Sequence, residues 1–328
     1  MSNLYPLKFK TIFKDKIWGG QKIKTVLGKD FGDLPNCGET WEISGVEGNV
    51  SEVAEGPLAG QNLQQLIRKH QGKLVGERIY QHYCDRFPLL VKFIDANDDL
   101  SIQVHPDDAL AQQRHNSFGK TEMWYIFQAD EGASLISGFN QPVTREKYLQ
   151  SFEEGKLLDI LNREPVQDDD VFFLPAGRVH TIGKGLLLAE IQQTSDITYR
   201  IYDFDRRDAE GNTRELHVED ALDAIDYQYY DHYKTQYHPL KNEPVTLASC
   251  PYFETYRLDY TEDTERDYAA RDSFTIYVCT EGEATLHCDG QAYAMKKGDA
   301  YLIPASISQV TITTTKGFNM LESYVPRG

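Results

Sequence analysis

Two distant segments of the sequence share one short plan. Residues 171–175 read Val-Phe-Phe-Leu-Pro and residues 300–304 read Ala-Tyr-Leu-Ile-Pro, so an apolar run meets a proline in both. Five positions after the proline, the first segment has His180 and the second has Gln309. Short apolar runs bounded by turn-forming residues are typical of buried strands. The repeat therefore predicts two related β-units, of which only the first carries a histidine after its turn.

The rest of the sequence favours β-structure over helix. Beyond residue 250, short apolar runs alternate with glycine-bearing turns, a spacing typical of sandwiches and barrels. A chain of 328 residues is long enough for two domains. The stretch 237–244 carries two prolines and no periodicity, and we place the domain boundary at its start. The predicted domains are residues 1–236 and 237–328.

Helical spacing of apolar residues is confined to the first domain. In the second of the three predicted helices, Thr144 and Lys147 give only part of a capping signal. The predicted helical segments lie near 62–83, 144–164 and 218–225.

Charge and composition exclude several classes of function. The net charge of −17 argues against nucleic acid or an anionic membrane as a partner. No apolar run approaches the 18 residues of a membrane span, and the segment from Met1 to Pro6 has no signal core. The five cysteines are scattered without a Cys-x-x-Cys pair, which is typical of reduced thiols. We therefore expect a cytoplasmic protein; the sequence leaves its oligomeric state open.

Four side chains form a candidate metal site. Gln103 and His105 are two positions apart, so on a strand both leave the same face. Glu122 and His180 can reach that face from neighbouring strands. Taken singly, each of the four is more simply a structural or solvated residue. Together, two imidazoles, a carboxylate and an amide suit Zn²⁺, Fe²⁺ or Mn²⁺, and the donor set does not choose among them.

Four motifs carry a resemblance to a known family. They are Leu-Ser-Ile-Gln-Val-His-Pro at 100–106, Gly-Lys-Thr-Glu at 119–122, Pro-Ala-Gly-Arg-Val-His at 175–180 and Ser-Asp-Ile-Thr-Tyr-Arg at 195–200. Together they resemble the type I mannose-6-phosphate isomerases, or phosphomannose isomerases, of the cupin superfamily, in their short bacterial form. The resemblance implies a mainly β fold of two cupin (jelly-roll) barrels with a small helical insertion. In that fold the second barrel lacks the metal site.

The resemblance also implies roles for individual residues. It implies one Zn²⁺ per chain, with other divalent ions possible, and a sugar phosphate as the small-molecule partner. The zinc ligands are then Gln103, His105, Glu122 and His180, and the other active-site positions are Lys92, Ser101, Lys120, Asp196 and Arg200.

The implied reaction interconverts mannose 6-phosphate and fructose 6-phosphate. A proton leaves C2 and returns to C1 through a cis-enediol or enediolate, so the site needs charge stabilisation and an acid/base group. Arg200 suits the two developing oxygen charges because its guanidinium is a planar fork. Lys120 is one candidate proton carrier, and the carboxylates of Glu190 and Asp196 compete with it. The best candidates for the phosphate are Ser101, Lys92 and Lys120.

Two other functions fit a metal-binding cupin. A non-haem iron oxygenase normally uses a facial triad with open positions, and a fourth protein ligand at Gln103 argues against it. A non-catalytic sugar-binding cupin is the other alternative. The presence of Lys120, Asp196 and Arg200 argues against it, because binding alone does not require them.

Overall fold

The structure is a computed structural model that describes residues 4–208 and 210–327. Strands predominate among these residues, so the predicted mainly β class is confirmed. The strands are β1 (Ile12–Lys14), β2 (Glu39–Ile43), β3 (Leu89–Ala96), β4 (Ile102–Val104), β5 (Glu122–Ala129), β6 (Ser134–Phe139), β7 (Leu161–Pro165), β8 (Val171–Leu174), β9 (His180–Thr181), β10 (Leu186–Gln193), β11 (Tyr199–Tyr202), β12 (Pro244–Ser249), β13 (Glu254–Tyr260), β14 (Thr264–Asp267), β15 (Thr275–Cys288), β16 (Gln291–Lys296), β17 (Ala300–Ile303), β18 (Gln309–Thr313) and β19 (Phe318–Tyr324).

The helices are short, and all of those in the described residues end by residue 224. Asn62 caps one of them: its side chain accepts a hydrogen bond from the Gln65 amide, and the Gln65 side chain accepts one from the Asn62 amide. Among the described residues no helix has the length and apolar content needed to cross a membrane. The helices are α1 (Lys22–Thr25), α2 (Leu63–His70), α3 (Gly72–Val75), α4 (Glu77–Tyr83), α5 (Asp108–His115), α6 (Arg145–Glu153) and α7 (Val218–Ala224), with a 3-10 turn at Leu157–Ile160.

The first unit is built from two antiparallel sheets. One has the strand order β1-β2-β3-β10-β5-β8, and the other has the order β11-β4-β9-β6-β7. Apolar side chains from both sheets, among them Ile94, Trp124, Leu135 and Leu174, form one buried cluster. The inner faces of the two sheets therefore enclose a core, and polar residues on those faces lie inside the unit.

The second unit repeats this strand order. Its sheet path runs β12-β13-β19-β15-β18-β14, with β16 and β17 also paired to the long strand β15. The series β13-β19-β15-β17 corresponds to β3-β10-β5-β8, and β14-β18-β15-β16 corresponds to β4-β9-β6-β7. Strand β15 thus corresponds to both β5 and β6 of the first unit. Its first half pairs with β17 and β19, and its second half pairs with β16 and β18.

A continuous apolar layer joins the two units. It contains Val91, Phe93 and Ile191 from the first unit and Phe274 and Leu302 from the second. Because side chains alternate along a strand, these residues lie on the faces of β3, β10 and β17 opposite to the enclosed cores. The helices α2 to α4 add buried leucine and isoleucine side chains to the same layer.

One predicted helix differs from the structure. The helix predicted over 144–164 ends at Glu153, because Gly155 has a positive φ of 69° and cannot continue it, and residues 161–165 pair with β6 as strand β7. Thr144 does cap α6, accepting a hydrogen bond from the Lys147 amide at 3.2 Å.

The domain limits stay a prediction. Near the proposed boundary, Thr235 still hydrogen-bonds Val171 of the first unit, and Asn242 already hydrogen-bonds Asp259 of the second. At the other end, Leu7 pairs with Leu302, so part of the N-terminal segment lies on the second unit. Residues 1–3, 209 and 328 of the predicted ranges lie outside the described residues.

Candidate metal centre and active-site cavity

The four predicted ligands meet inside the first unit. Gln103 on β4 is directly opposite His180 on β9, and Glu122 opens β5 in the facing sheet. His105 follows β4, two positions after Gln103. The side chains of His105, Glu122 and His180 are at most 2% exposed. Strand alternation and register therefore bring together residues up to 77 positions apart in the chain.

Their donor atoms converge on one point. Glu122 Oε1 lies 3.3 Å from His180 Nε2, and Glu122 Oε2 lies 3.6 Å from His105 Nε2. The amide nitrogen of Gln103 lies 3.2 Å from His180 Nε2, so this side chain reaches the same point. Separations of this size are expected around an ion whose ligand bonds are about 2.0–2.2 Å long.

Each histidine is oriented by a backbone carbonyl. His105 Nδ1 lies 2.8 Å from the Ile197 oxygen, and His180 Nδ1 lies 2.8 Å from the Arg178 oxygen. A carbonyl only accepts, so both Nδ1 atoms carry the proton and both Nε2 lone pairs face Glu122. Burial lowers the pKa of His180 to about 3 and that of His105 well below its usual value. Both rings are neutral, as metal ligation requires.

The carboxylate of Glu122 has few donors around it. Among the described residues its polar contacts are the ion pair with Lys120 at 3.0 Å and the two imidazole nitrogens, although the side chain is fully buried. One ammonium group leaves much of the acceptor capacity of a buried carboxylate unused, which is costly unless a further cation approaches it. With two neutral imidazoles aimed at it, the cluster has the donor set of a zinc-type site, and the residues present fit a divalent ion.

Two lysines and a second glutamate surround this cluster. Lys120 Nζ lies 3.0 Å from both His105 Nε2 and Glu122 Oε2, and Lys92 Nζ lies 3.1 Å from Glu190 Oε1. Burial and the charge of Glu190 raise the pKa of Glu122. Burial alone would raise the pKa of Glu190 too, but Lys92 and Lys120 outweigh it and lower that pKa. The two carboxylates therefore differ in their affinity for a proton.

A cavity of about 380 Å³ opens onto the cluster. Arg200 is half-buried in its wall; one guanidinium nitrogen donates to the Glu215 carbonyl at 2.8 Å, and Nε has no partner among the described residues. Asp196 is exposed at the rim and Ser101 is buried. The structure brings every predicted catalytic and phosphate-binding residue into this one cavity: Lys92, Ser101, Lys120, Glu190, Asp196 and Arg200 all line it.

Several residues that line the cavity were not predicted from the sequence. Lys14 and Lys16 lie two positions apart on a segment with a strand pattern, so a shared face was readable from the sequence. Nothing in the sequence joined that face to residues 100–200, because the connection is the pairing of β1 with β2 and of β2 with β3. The additional lining residues include Lys14, Lys16, Glu39, Trp41, Asn49, Thr198 and Arg214.

A larger groove, of about 1320 Å³, lies elsewhere. It runs between the N-terminal segment and strands β15 and β16, with Tyr5 and Tyr293 stacked in its wall. None of the four predicted ligands lines it. Size therefore does not identify the candidate site, and of these two cavities only the smaller one reaches the ligand cluster, through Gln103.

Comparison with known proteins agrees with this geometry. The profile for the phosphomannose isomerase type I catalytic domain matches residues 6–129, and that for the mannose-6-phosphate isomerase cupin domain matches residues 244–320. Mannose-6-phosphate isomerase ManA of Bacillus subtilis is 37% identical over 93% of this chain and 94% of its own length. Mannose-6-phosphate isomerase of Streptococcus mutans is 36% identical over 92% of this chain and 93% of its own length.

Solved structures extend the likeness to the fold. The crystal structure of mannose 6-phosphate isomerase from Bacillus subtilis superposes with a TM-score of 0.86 at 33% identity, covering 97% of this chain and 99% of that one. A putative mannosephosphate isomerase from Archaeoglobus fulgidus shares the fold with a TM-score of 0.78 at 22% identity, with 99% of each chain covered. Identity, coverage and both profiles agree, and the chain belongs to the type I phosphomannose isomerase family.

Proposed function

We propose that the chain interconverts mannose 6-phosphate and fructose 6-phosphate by moving a proton between C1 and C2. The observation that carries the proposal is the pair of buried imidazoles aimed at the buried carboxylate of Glu122, next to a cavity rich in lysine and arginine that Gln103 and Lys120 line. A site of this kind has room for a cation and charge for an anionic sugar. Membership of the isomerase family supports the same reaction.

We propose one Zn²⁺ per chain, held by Gln103, His105, Glu122 and His180. The backbone carbonyls that fix the two Nδ1 protons support this ligand set, since they leave each Nε2 free to bind. When bound, Zn²⁺ supplies a Lewis acid for the oxygens of the sugar. The protein would hold these oxygens at the floor of the cavity, next to Lys120.

The remaining polar residues have two roles in the proposed reaction, stabilisation of the developing negative charge and transfer of the proton. The Nε of Arg200 has no partner within residues 4–208 and 210–327, and its fork suits the two adjacent oxygens of an enediolate. We assign proton transfer to the group formed by Lys120, Glu190 and Asp196, all of which line the cavity. Trp124 donates to Glu190 at 2.8 Å and fixes its orientation.

Ser101, Lys92 and Lys120 are proposed to contact the substrate, as the sequence predicts. Their position in the inner part of the cavity supports this. Lys92 is already paired with Glu190, and Lys120 with Glu122. Much of their positive charge is therefore compensated within the protein, and a phosphate dianion needs a further cation.

We further propose that the second unit is a cupin barrel without a metal site. Thr275 there pairs with Ile303 before Pro304, as Glu122 pairs with Leu174 before Pro175. The pair Gln103–His180 has its counterpart in Asp267–Gln309, whose side chains are both exposed. Neither corresponding position offers a buried donor.

A coupled assay on mannose 6-phosphate tests the proposed reaction. The zinc-loaded protein should form fructose 6-phosphate, lose this activity on chelation and regain it when zinc returns. Oxygen uptake by the Fe²⁺-loaded protein without isomerisation would instead favour the oxygenase alternative. No turnover by the metal-replete protein would reject the proposed function.

A further inference from the structure

The active-site cavity concentrates positive charge in an acidic protein. Six cationic side chains and three carboxylates line it, whereas the whole chain carries a net charge of −17. A local excess of cations inside a strongly negative protein favours an anionic ligand at that point. The cations are Lys14, Lys16, Lys92, Lys120, Arg200 and Arg214, and the carboxylates are Glu39, Glu190 and Asp196.

Four of the six cations are already paired with carboxylates. The distances are 3.5 Å for Lys16–Glu39, 3.1 Å for Lys92–Glu190, 3.0 Å for Lys120–Glu122 and 2.5 Å for Arg214–Asp203. Within residues 4–208 and 210–327, no carboxylate oxygen lies within 4.0 Å of the charged groups of Lys14 or Arg200. These two cations are the ones whose charge remains available to a ligand.

Arg214 is a poor candidate for the phosphate although it lines the cavity. Its Nε donates to one oxygen of Asp203 at 2.7 Å, and a second guanidinium nitrogen donates to the other oxygen at 2.5 Å. A guanidinium held by two such bonds is pre-organised for its own carboxylate. A phosphate would have to break this pair.

Lys14 has the surroundings of an anion-binding group. Its Nζ donates to Asn49 Oδ1 at 2.8 Å, which turns the Asn49 amide nitrogen toward other acceptors. That nitrogen donates to no atom of the described residues. Burial lowers the pKa of Lys14, and the neighbouring Lys16 lowers it further, so a bound anion would stabilise the charged lysine.

Lys14 is also close to the residues that surround the proposed metal ligands, without contacting them. Its Nζ lies 4.4 Å from the ring centroid of Trp41, and Lys92 Nζ lies 5.3 Å from the same ring. Lys92 in turn contacts Glu190 beside the metal ligands. One aromatic ring thus separates Lys14 from the residues assigned to C1 and C2, and a hexose phosphate carries its phosphate at the other end of the carbon chain.

We propose that Lys14 and Asn49 form the phosphate-binding subsite of this cavity, with Arg200 left for the reacting end of the sugar. The ligand is a phosphate monoester dianion, which accepts from the Lys14 ammonium and the Asn49 amide. The inference rests on the proposed function, because it takes the substrate to be a sugar phosphate.

Replacing the lysine tests the subsite. Lys14→Met should raise both the KM for mannose 6-phosphate and the competitive inhibition constant of inorganic phosphate by about 10- to 100-fold, the range for losing a charged hydrogen bond. Zinc content and thermal stability should stay at the wild-type values, and Lys14→Arg should recover most of the affinity. Lys14→Gln repeats the test with a polar side chain.

Lys10→Met is the matched control. It removes the same charge from the same N-terminal segment, but Lys10 is exposed, pairs with Glu52 and does not line the cavity. Its effect on both constants should be about twofold or less. Equal effects of the two variants, or inhibition by phosphate that weakens only in Arg200→Ala, would overturn the subsite. Lack of turnover by the zinc-loaded wild type would instead reject the proposed function, on which the subsite rests.

Discussion

The interiors of the two units differ at matching positions. Glu190 on β10 is opposite Trp124 on β5, and Glu322 on β19 is opposite Tyr277 on β15, in strands that correspond between the units. Both glutamates are buried. One scaffold therefore places a carboxylate inside each unit, and the neighbours of each carboxylate decide what it does.

In the second unit the protein itself satisfies the carboxylate. Arg266 donates to both oxygens of Glu322 at 2.9 Å, Arg271 donates to one oxygen at 2.5 Å, and Tyr268 donates to the other at 2.6 Å. Burial would raise the pKa of Glu322, but the two arginines outweigh it and lower that pKa. No acceptor capacity is left over for a ligand.

In the first unit the matching carboxylate, Glu190, accepts from Trp124 at 2.8 Å and pairs with Lys92 at 3.1 Å, and a second carboxylate, Glu122, lies near it. Among the described residues Glu122 has a single cationic partner, Lys120 at 3.0 Å, and its other polar neighbours include two neutral imidazoles. Satisfied carboxylates stabilise a fold, whereas unsatisfied ones bind ions or substrates at a cost in stability. The comparison teaches that a structural interior differs from a reactive one mainly in how fully the protein's own donors satisfy its buried carboxylates. The position of the carboxylate in the strand matters less.

The same substitution in the two units should have opposite consequences. Glu122→Gln removes the charge that holds the ion, so zinc content should fall and turnover should drop by about 10³-fold or more, beyond the loss of a single oxyanion donor. Metal analysis and the coupled assay measure this. Glu322→Gln is the control and should keep both zinc and kcat. Retained zinc in Glu122→Gln would contradict the ligand assignment.

Glu322→Gln should instead lower the free energy of unfolding by about 3–5 kcal/mol, because two arginines lose their buried partner. Urea unfolding of the zinc-loaded protein measures this change. Glu283→Gln is the matched control, since Glu283 is an exposed residue of the neighbouring strand β15, at 3.6 Å from the exposed Lys316. Its effect should stay below about 1 kcal/mol. Equal losses in the two variants would mean that the arginine cluster is not structural.

The two carboxylates should also respond to pH in opposite directions. The pKa of Glu122 is raised, so in the metal-free protein its contribution to stability is present at low pH and is lost as pH rises through the raised value. The pKa of Glu322 is lowered, so its contribution is present above the ordinary value for glutamate and is lost only as pH falls below it.

Below its raised pKa, Glu122 is protonated in the metal-free protein, so zinc must compete with that proton. Affinity should therefore fall about tenfold for each pH unit below the raised pKa, because one proton competes with the ion. Zinc titration of the chelated protein against a competing chelator, between about pH 5 and 8, measures this slope. An affinity independent of pH over that interval would show that Glu122 is already ionised without the metal.

The sequence was sufficient to group the four side chains of the proposed metal centre. Gln103 and His105 share a face because strands alternate, and the proline turn before His180 ends a strand that pairs with β5. It was insufficient for Lys14 and Asn49, which reach the cavity only through the pairing of β1 and β2 and the turn after β2. Long-range pairing of this kind has no local signal.

Sequence pattern also failed where local and tertiary preferences disagreed. Leu157, Leu158 and Leu161 have helical spacing, yet a positive φ at Gly155 stops the helix, and β6 offers hydrogen bonds to residues 161–165. The repeat aligned Gln309 with His180, but its side chain is exposed. A shared motif fixes the turn and does not determine which side chain faces inward.

The apolar layer between the units limits how the protein can be divided or diversified. Phe274 and Leu302 of the second unit lie in the same buried layer as the outward-facing residues of β3 and β10. A first unit made alone would expose apolar side chains such as Val91 and Ile191 to water on that face, and such patches favour aggregation. We therefore expect the first unit to depend on the outward-facing apolar residues of the second, because they cover the sheet that carries Glu122 and Glu190.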